Sequence, residues 1–244
     1  FCNPGDTIAF IQPTYGMYSV YAKMMGLDVF PITYSLKKTL DYERILDQIT
    51  EKIKVLIIAN PNGIMGDELD EEFIRMIVKK CNVFGTVVLL DEGYGDFVDG
   101  GYSRFANLTD NYDNLVVARS FSKGYGLAGV RVGYTISHPD MRKMLISVRS
   151  NVEINSVAVE AIKVWTSHPE LMKECIYEIN DTKQYLCEIL VDKGIICIQG
   201  LGNFILISAD DEDKWKTLLA DNNIAVKWLE LDGEKWIRLT VGTK

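Results

Sequence analysis

Lys54-Val55-Leu56-Ile57-Ile58-Ala59, an intervening segment at 69–81, and Thr86-Val87-Val88-Leu89-Leu90-Asp91 form the stretch that decides the fold of this 244-residue chain. Both apolar runs are short and end in turn residues, Asn60-Pro61-Asn62-Gly63 after the first and Glu92-Gly93 after the second, so they read as buried strands. Between them, Phe73, Ile74, Ile77, Val78 and Cys81 recur at three- and four-residue spacing, which predicts a helix with one apolar face. Acidic residues open that helix and Lys79-Lys80 lie toward its end, the polarity that a helix dipole favours. A strand, a helix and a second strand in this order imply a mostly parallel sheet flanked by helices, the α/β class.

The same alternation extends outward. Residues 7–11, 29–32, 114–118 and 131–136 read as further strands, and 16–25 as a helix. From 169 to 192 runs a long helical pattern carrying Leu171, Met172, Cys175, Ile176, Ile179, Leu186, Ile189 and Leu190. Beyond it, strands at 195–198, 203–208, 224–229 and 236–241 with a helix at 211–221 predict a smaller α+β unit. The expected division is a large domain at 1–168 and a small C-terminal domain at 169–244 that includes the linking helix. A start without methionine and an end at Lys244 directly after a strand-like run predict that both domains continue beyond this sequence.

Composition narrows the function. With 48% hydrophobic residues the chain can bury a sizeable core, and 34 acidic against 26 basic residues disfavour a nucleic-acid or acidic-membrane partner. No apolar run approaches the ~20 residues that a membrane helix needs. Cys2, Cys81, Cys175, Cys187 and Cys197 are odd in number and never spaced as CxxC, so the expectation is reduced, buried thiols in a cytoplasmic protein, without a disulfide framework or a metal site. His138 and His168 each precede a proline, a setting for a helix entry rather than for a catalyst.

Chemistry-bearing motifs fall at the expected strand ends, where open α/β sheets bind ligands. They are Asn60-Pro61-Asn62-Gly63, Asp91-Glu92-Gly93-Tyr94, and Ser120-Phe121-Ser122-Lys123 running on to Gly129-Val130-Arg131. Taken singly each has a plainer reading: a loop turn, an Asp that caps the next turn, an exposed loop lysine. A buried carboxylate at Asp91 would also need a cationic partner. Together and in this order the motifs resemble the fold-type I pyridoxal-phosphate enzymes, the class I and II aminotransferases, and within them the histidinol-phosphate aminotransferase branch.

That resemblance implies an aspartate-aminotransferase-like large domain that binds pyridoxal 5'-phosphate, with Lys123 as Schiff base and proton shuttle. It assigns Asp91 to the ring nitrogen, Tyr94 and Asn60 to the phenolic oxygen with a cis Asn60-Pro61 peptide, and Tyr15 to the ring face. Ser120, Ser122 and Arg131 would take the phosphate, with Arg131 eight residues after Lys123 as in the family. Arg238 matches the arginine that grips a substrate carboxylate. Lys227 stands eleven residues before it, where the branch has a phosphate-binding arginine, and brings a point charge in place of a planar fork. Arg149 lies where relatives carry substrate or subunit contacts, although an exposed helix-end arginine is the plainer reading. The partners implied are an amino donor, a keto-acid acceptor and a second copy of the chain, whose neighbouring tyrosine would come from a segment before Phe1.

Other outcomes share these cofactor motifs. A threonine-phosphate decarboxylase differs only in which substrate bond stands perpendicular to the ring. The aminotransferase-like sensor domain of a transcription regulator would bind the cofactor without turnover.

Overall fold

The expected strand–helix–strand unit lies in the middle of a six-stranded sheet, whose order β2-β1-β3-β4-β5-β6 is built from β1 (Thr7–Gln12), β2 (Asp28–Thr33), β3 (Ile53–Ala59), β4 (Val87–Asp91), β5 (Leu115–Ser120) and β6 (Gly133–Ser137). The computed structural model describes residues 1–33, 41–150 and 154–243, so the chain end at Lys244 lies outside the described residues. The first five strands run parallel, and β6 returns antiparallel beside β5. Pro31 falls in β2, an edge strand, where a missing N–H is tolerated.

Helices α1 (Met17–Met24), α2 (Tyr42–Asp47), α3 (Glu71–Phe84) and α4 (Asp96–Asp99) belong to this half, followed by α5 (Pro139–Ser147) and α6 (Ser156–Ser167). Helix α3 buries the predicted face of Phe73, Ile74, Ile77, Val78 and Cys81 against Leu56, Ile58, Val88 and Leu90 of the sheet. Fully burying each such side chain contributes roughly 1.5–3 kcal/mol. Asp70 caps its start by accepting from the Glu72 and Phe73 N–H groups, and Gly85 ends it in a left-handed conformation. The helix therefore runs past Lys79-Lys80, which sit in its middle rather than in its last turn.

Helix α7 (Pro169–Asp192) has the predicted bounds and leads to a four-stranded antiparallel sheet of order β7-β8-β10-β9. Its strands are β7 (Cys197–Gln199), β8 (Phe204–Ser208), β9 (Lys227–Leu231) and β10 (Glu234–Thr240), with α8 (Glu212–Asp221) between the second and third. Both histidines stand at helix entries as expected: His138 accepts from the Asp140 N–H at the start of α5, and His168 precedes Pro169 of α7. Helices α2, α4 and α6 have no counterpart in the sequence reading, and α5 only its entry at His138; α6, with Val157, Val159 and Val164, carries a β-branched composition that hides its periodicity.

The cysteine expectation is corrected. Cys187 and Cys197 form a disulfide, because the chain reverses after α7 and brings β7 back along the end of the helix, a pairing that spacing alone does not reveal. Of the free cysteines Cys81 is buried, whereas Cys2 and Cys175 are partly exposed. Among the described residues no helix is long and apolar enough to cross a membrane, and no cluster of metal-ligating residues is present.

Candidate active site

The strand order reverses direction at β1, with β2 on one side and β3, β4 and β5 on the other, and at such a switch point the loops splay apart and leave a crevice. The cavity found there has a volume of about 390 Å³ and is lined by Lys123, Asp91, Tyr94, Ser120, Ser122, Arg131, Tyr15, Lys227 and Arg238. Nine of the ten residues predicted for the site thus converge, from loops after β1, β4 and β5 and from the second sheet. Asn60, the tenth, stands just behind Ala59 and Pro61, which do line it.

Asn60 is buried, and its peptide to Pro61 is cis as expected. Its Oδ1 accepts from the Leu69 N–H at 2.7 Å, while its Nδ2 is buried without a hydrogen-bond partner among the described residues. An amide donor left so costs about 1–3 kcal/mol, which a bound oxygen acceptor would recover.

Asp91, at the end of β4, accepts from the Gly93 N–H at 2.9 Å and from the hydroxyl of Tyr18. The protein donors that Asp91 meets here are neutral, and its remaining lone pairs can take the expected cation from within the cavity. Burial, then the neighbouring Asp91 charge, pushes the Tyr18 phenol well above its ordinary range, so it stays a donor. Tyr18 escaped the sequence reading, although it stands only three residues after Tyr15, in the first turn of α1, where its N–H donates to the Tyr15 carbonyl at 3.2 Å. Tyr15 itself is 56% exposed and meets the Tyr18 ring edge-on at 5.6 Å.

The Tyr94 ring occupies a slot between two loops. A Cβ on Gly63 would lie 2.8 Å from one edge of the ring, and a Cβ on Gly202 would lie 2.8 Å from the other. Lys123 Nζ stands 4.9 Å from the centre of the ring. Arg238 reaches across from β10, donating to the Tyr94 hydroxyl and to the Gly63 carbonyl at 3.0 Å each, with its guanidinium 3.8 Å above the Phe204 ring. Lys227 is the cross-strand partner of Arg238, so both cations project from one face of the second sheet into the cavity. Gly202 and Phe204 were not foreseen, since a glycine in a loop carries no local sign of what packs on it.

On the β5 side, the Ser122 N–H donates to Ser120 Oγ at 3.0 Å, which turns the chain toward Lys123. Arg131 has a left-handed φ of 60°, is exposed, and donates from Nη1 to the Ala128 carbonyl at 2.8 Å. Two hydroxyls and a guanidinium at one rim suit an oxyanion. Arg149 is exposed beyond the end of α5 and does not line this cavity.

The family described as aminotransferase class I and II matches residues 1–244. Among curated relatives, the chain is 31% identical over its whole length to a protein named histidinol-phosphate aminotransferase from a Thermoanaerobacter species, covering 68% of that protein. It is 30% identical, again over its whole length, to the enzyme of the same name from Cytophaga hutchinsonii, covering 70% of it. Among solved structures, histidinol-phosphate aminotransferase from Sinorhizobium meliloti, in complex with pyridoxal-5'-phosphate, superposes with a TM-score of 0.87. That comparison has 21% identity over the whole of this chain and 67% of the other, and it establishes a shared fold.

Proposed function

The chain belongs to the aminotransferase class I and II family, and from that premise we propose that it moves an amino group between a small amino donor and a keto acid with the help of pyridoxal phosphate. The observation that carries this reading is the convergence of Lys123, Asp91 and Tyr94 on one cavity beside the unpartnered amide nitrogen of Asn60. The residues fit the cofactor: a lysine amine for its aldehyde, a carboxylate for its ring nitrogen, donors for its phenolic oxygen, and hydroxyls with a guanidinium for its phosphate. When bound, pyridoxal phosphate supplies the electron sink that lets a Cα–H bond ionise.

In this reading Lys123 holds the cofactor, and its Nζ carries the proton removed from the donor's Cα. Asp91, steadied by Tyr18 and the Gly93 N–H, keeps a negative charge against the ring nitrogen. Asn60 Nδ2 and the Tyr94 hydroxyl donate to the phenolic oxygen, and Tyr15 covers the ring face. Ser120, Ser122 and Arg131 take the cofactor phosphate. Arg238 receives the carboxylate of the amino or keto acid, and Lys227 adds a second positive charge for an anionic group on the other substrate. Relatives named histidinol-phosphate aminotransferase make an amino-phosphate the first donor to test.

The same reading divides the chain at 168/169, since the antiparallel sheet follows α7 entirely. It also makes the protein a cytoplasmic homodimer; Tyr21, Met24 and Met25, at 56%, 75% and 57% exposure, offer apolar surface for a second subunit.

The test is the absorbance spectrum of the purified protein with pyridoxal phosphate. The expected result is a visible band that borohydride bleaches and Lys123→Ala abolishes, and that shifts on adding amino donor alone. A band that survives Lys123→Ala would sink the lysine assignment, and release of carbon dioxide in place of a keto product would overturn the aminotransferase reading.

A further inference from the structure

Side chains alternate across a strand, so consecutive residues at a strand end serve opposite faces of the sheet. Asp91 pairs in register with Ala118, which puts Asp91 and Ser120 on the cavity face and sends Glu92 and Arg119 to the other. There the Arg119 guanidinium, 1% exposed, meets three carboxylates. Its Nη1 donates to Glu92 Oε2 and Asp99 Oδ2 at 2.9 Å each, and its Nη2 to Asp96 Oδ1 at 2.8 Å and Asp99 Oδ1 at 3.1 Å. Ser103 Oγ adds a donation to Glu92 Oε1 at 3.0 Å.

None of these four charged side chains lines the 390 Å³ cavity. Volume alone would be filled at less cost by apolar residues, because an ion cluster must overcome the desolvation of every member. The distinctive feature is where the members sit along the chain. Glu92 directly follows Asp91; Arg119 directly precedes Ser120; and a Cβ on Gly124 would fall 2.6 Å from the Asp96 Cβ, so Asp96 packs on the backbone of the residue after Lys123. The cluster therefore ties the 91–99 turn to the 119–124 turn from behind.

We propose that Arg119, gripped by Glu92, Asp96 and Asp99, is a positioning residue that sets Lys123 against Asp91 and Tyr94. This rests on the assignment of Lys123 as the cofactor lysine. A planar fork shared among three carboxylates fixes both the distance and the rotation between the two turns, which an ammonium would not do. Misplacing a reacting amine by a fraction of an ångström lowers the rate of proton transfer while leaving substrate binding largely intact.

The test uses holoenzyme of the wild type, Arg119→Lys and Gly124→Ala, the last of which pushes on Asp96 without removing any charge. Visible circular dichroism of the cofactor band reports how the ring is held, and a pH titration of the same band reports the surroundings of the lysine. Expected are a dichroic amplitude reduced about two-fold or more, a titration midpoint moved by about half a unit or more, and kcat reduced about ten-fold with KM within about two-fold. Should Arg119→Lys fail to fold, Gly124→Ala and Asp96→Asn carry the same expectation. Variants that keep the wild-type dichroism and titration and lose only thermal stability would overturn the proposal while leaving Lys123 in its role. A wild-type protein with no band that depends on Lys123 would instead overturn the cofactor reading, and this proposal with it.

Discussion

Among the described residues two cations are buried, and they are held in opposite ways. Arg119, behind the parallel sheet, has three carboxylates, whereas Lys183, on α7 beside the antiparallel sheet, has the carbonyl oxygens of Gly200 and Gly202, each at 2.7 Å. Both residues are almost inaccessible to water, at 4% and 2% exposure. Burial opposes the charge on each. In Arg119 it is outweighed by the hydrogen bonds and charges of Asp99 and Asp96, which hold the guanidinium firmly protonated. In Lys183 nothing offsets it, and the ammonium is pushed down to about 8. The intrinsic basicity of the group together with the formal charge of its partners, and not depth alone, thus decides whether a buried cation is a fixed ion or a titrating one. The two also hold different things in place: Arg119 joins two turns of the same sheet, while Lys183 fixes the loop whose Leu201 N–H donates to the Gly66 carbonyl and whose Gly202 packs on Tyr94.

The largest effect expected from breaking this contrast comes from Arg119→Met. It leaves three buried carboxylates without their counter-ion and should cost about 3–5 kcal/mol in urea unfolding at neutral pH. Burial already raises Glu92 and Asp96 above the ordinary carboxylate range. In the window between their unfolded and folded values the native state therefore binds more protons than the unfolded chain, and stability rises as pH falls through it. Part of the loss in Arg119→Met should return there. A variant as stable as wild type at neutral pH would mean that the carboxylates do not depend on the guanidinium.

A smaller loss follows from Lys183→Met, because two carbonyl acceptors lose their donor at about 1–3 kcal/mol while a poorly compensated charge is also removed. Its sharper signature is in pH. The folded value near 8 lies below the ordinary 10.5, so between them the unfolded chain binds more protons and wild-type stability gains as pH rises. Unfolding free energies taken across that window should climb in wild type relative to Lys183→Met. Parallel curves would mean that Lys183 titrates as an exposed lysine does.

The contrast also bears on what was legible in the sequence. The strands ending at Ala59 and Asp91 could be read with their ends, and the one read to Ala118 to within two residues of its end at Ser120, because their runs are short, apolar and followed by turn residues, beside which the site residues stand. The Arg119 cluster was hidden, since Arg119 looks like any polar residue that follows an apolar run and its partners Asp96 and Asp99 lie in a four-residue helix without a periodic signal. Lys183 was hidden for the complementary reason: its partners are backbone carbonyls of Gly200 and Gly202, which no side chain announces. Tyr18, Gly202 and the Cys187–Cys197 bridge likewise depend on contacts that only the folded chain creates. Local pattern reports burial and strand ends; it does not report which buried polar groups find one another.

The smallest effect isolates burial itself. Lys143 and Asp140 on α5 are 2.8 Å apart, the same separation as Arg119 and Asp96, but their side chains are 78% and 65% exposed. The hydrogen bond from Lys143 and its charge draw the Asp140 carboxyl below its ordinary value, so the contact is felt locally. Solvent screens it nevertheless, and ordering two exposed side chains offsets much of the attraction. Lys143→Met should therefore leave the urea midpoint where it is, at low salt as at high. A loss comparable to that of Arg119→Met would show that separation, and not removal from water, sets the strength of ion pairs in this protein, and the distinction drawn between its two buried cations would fall.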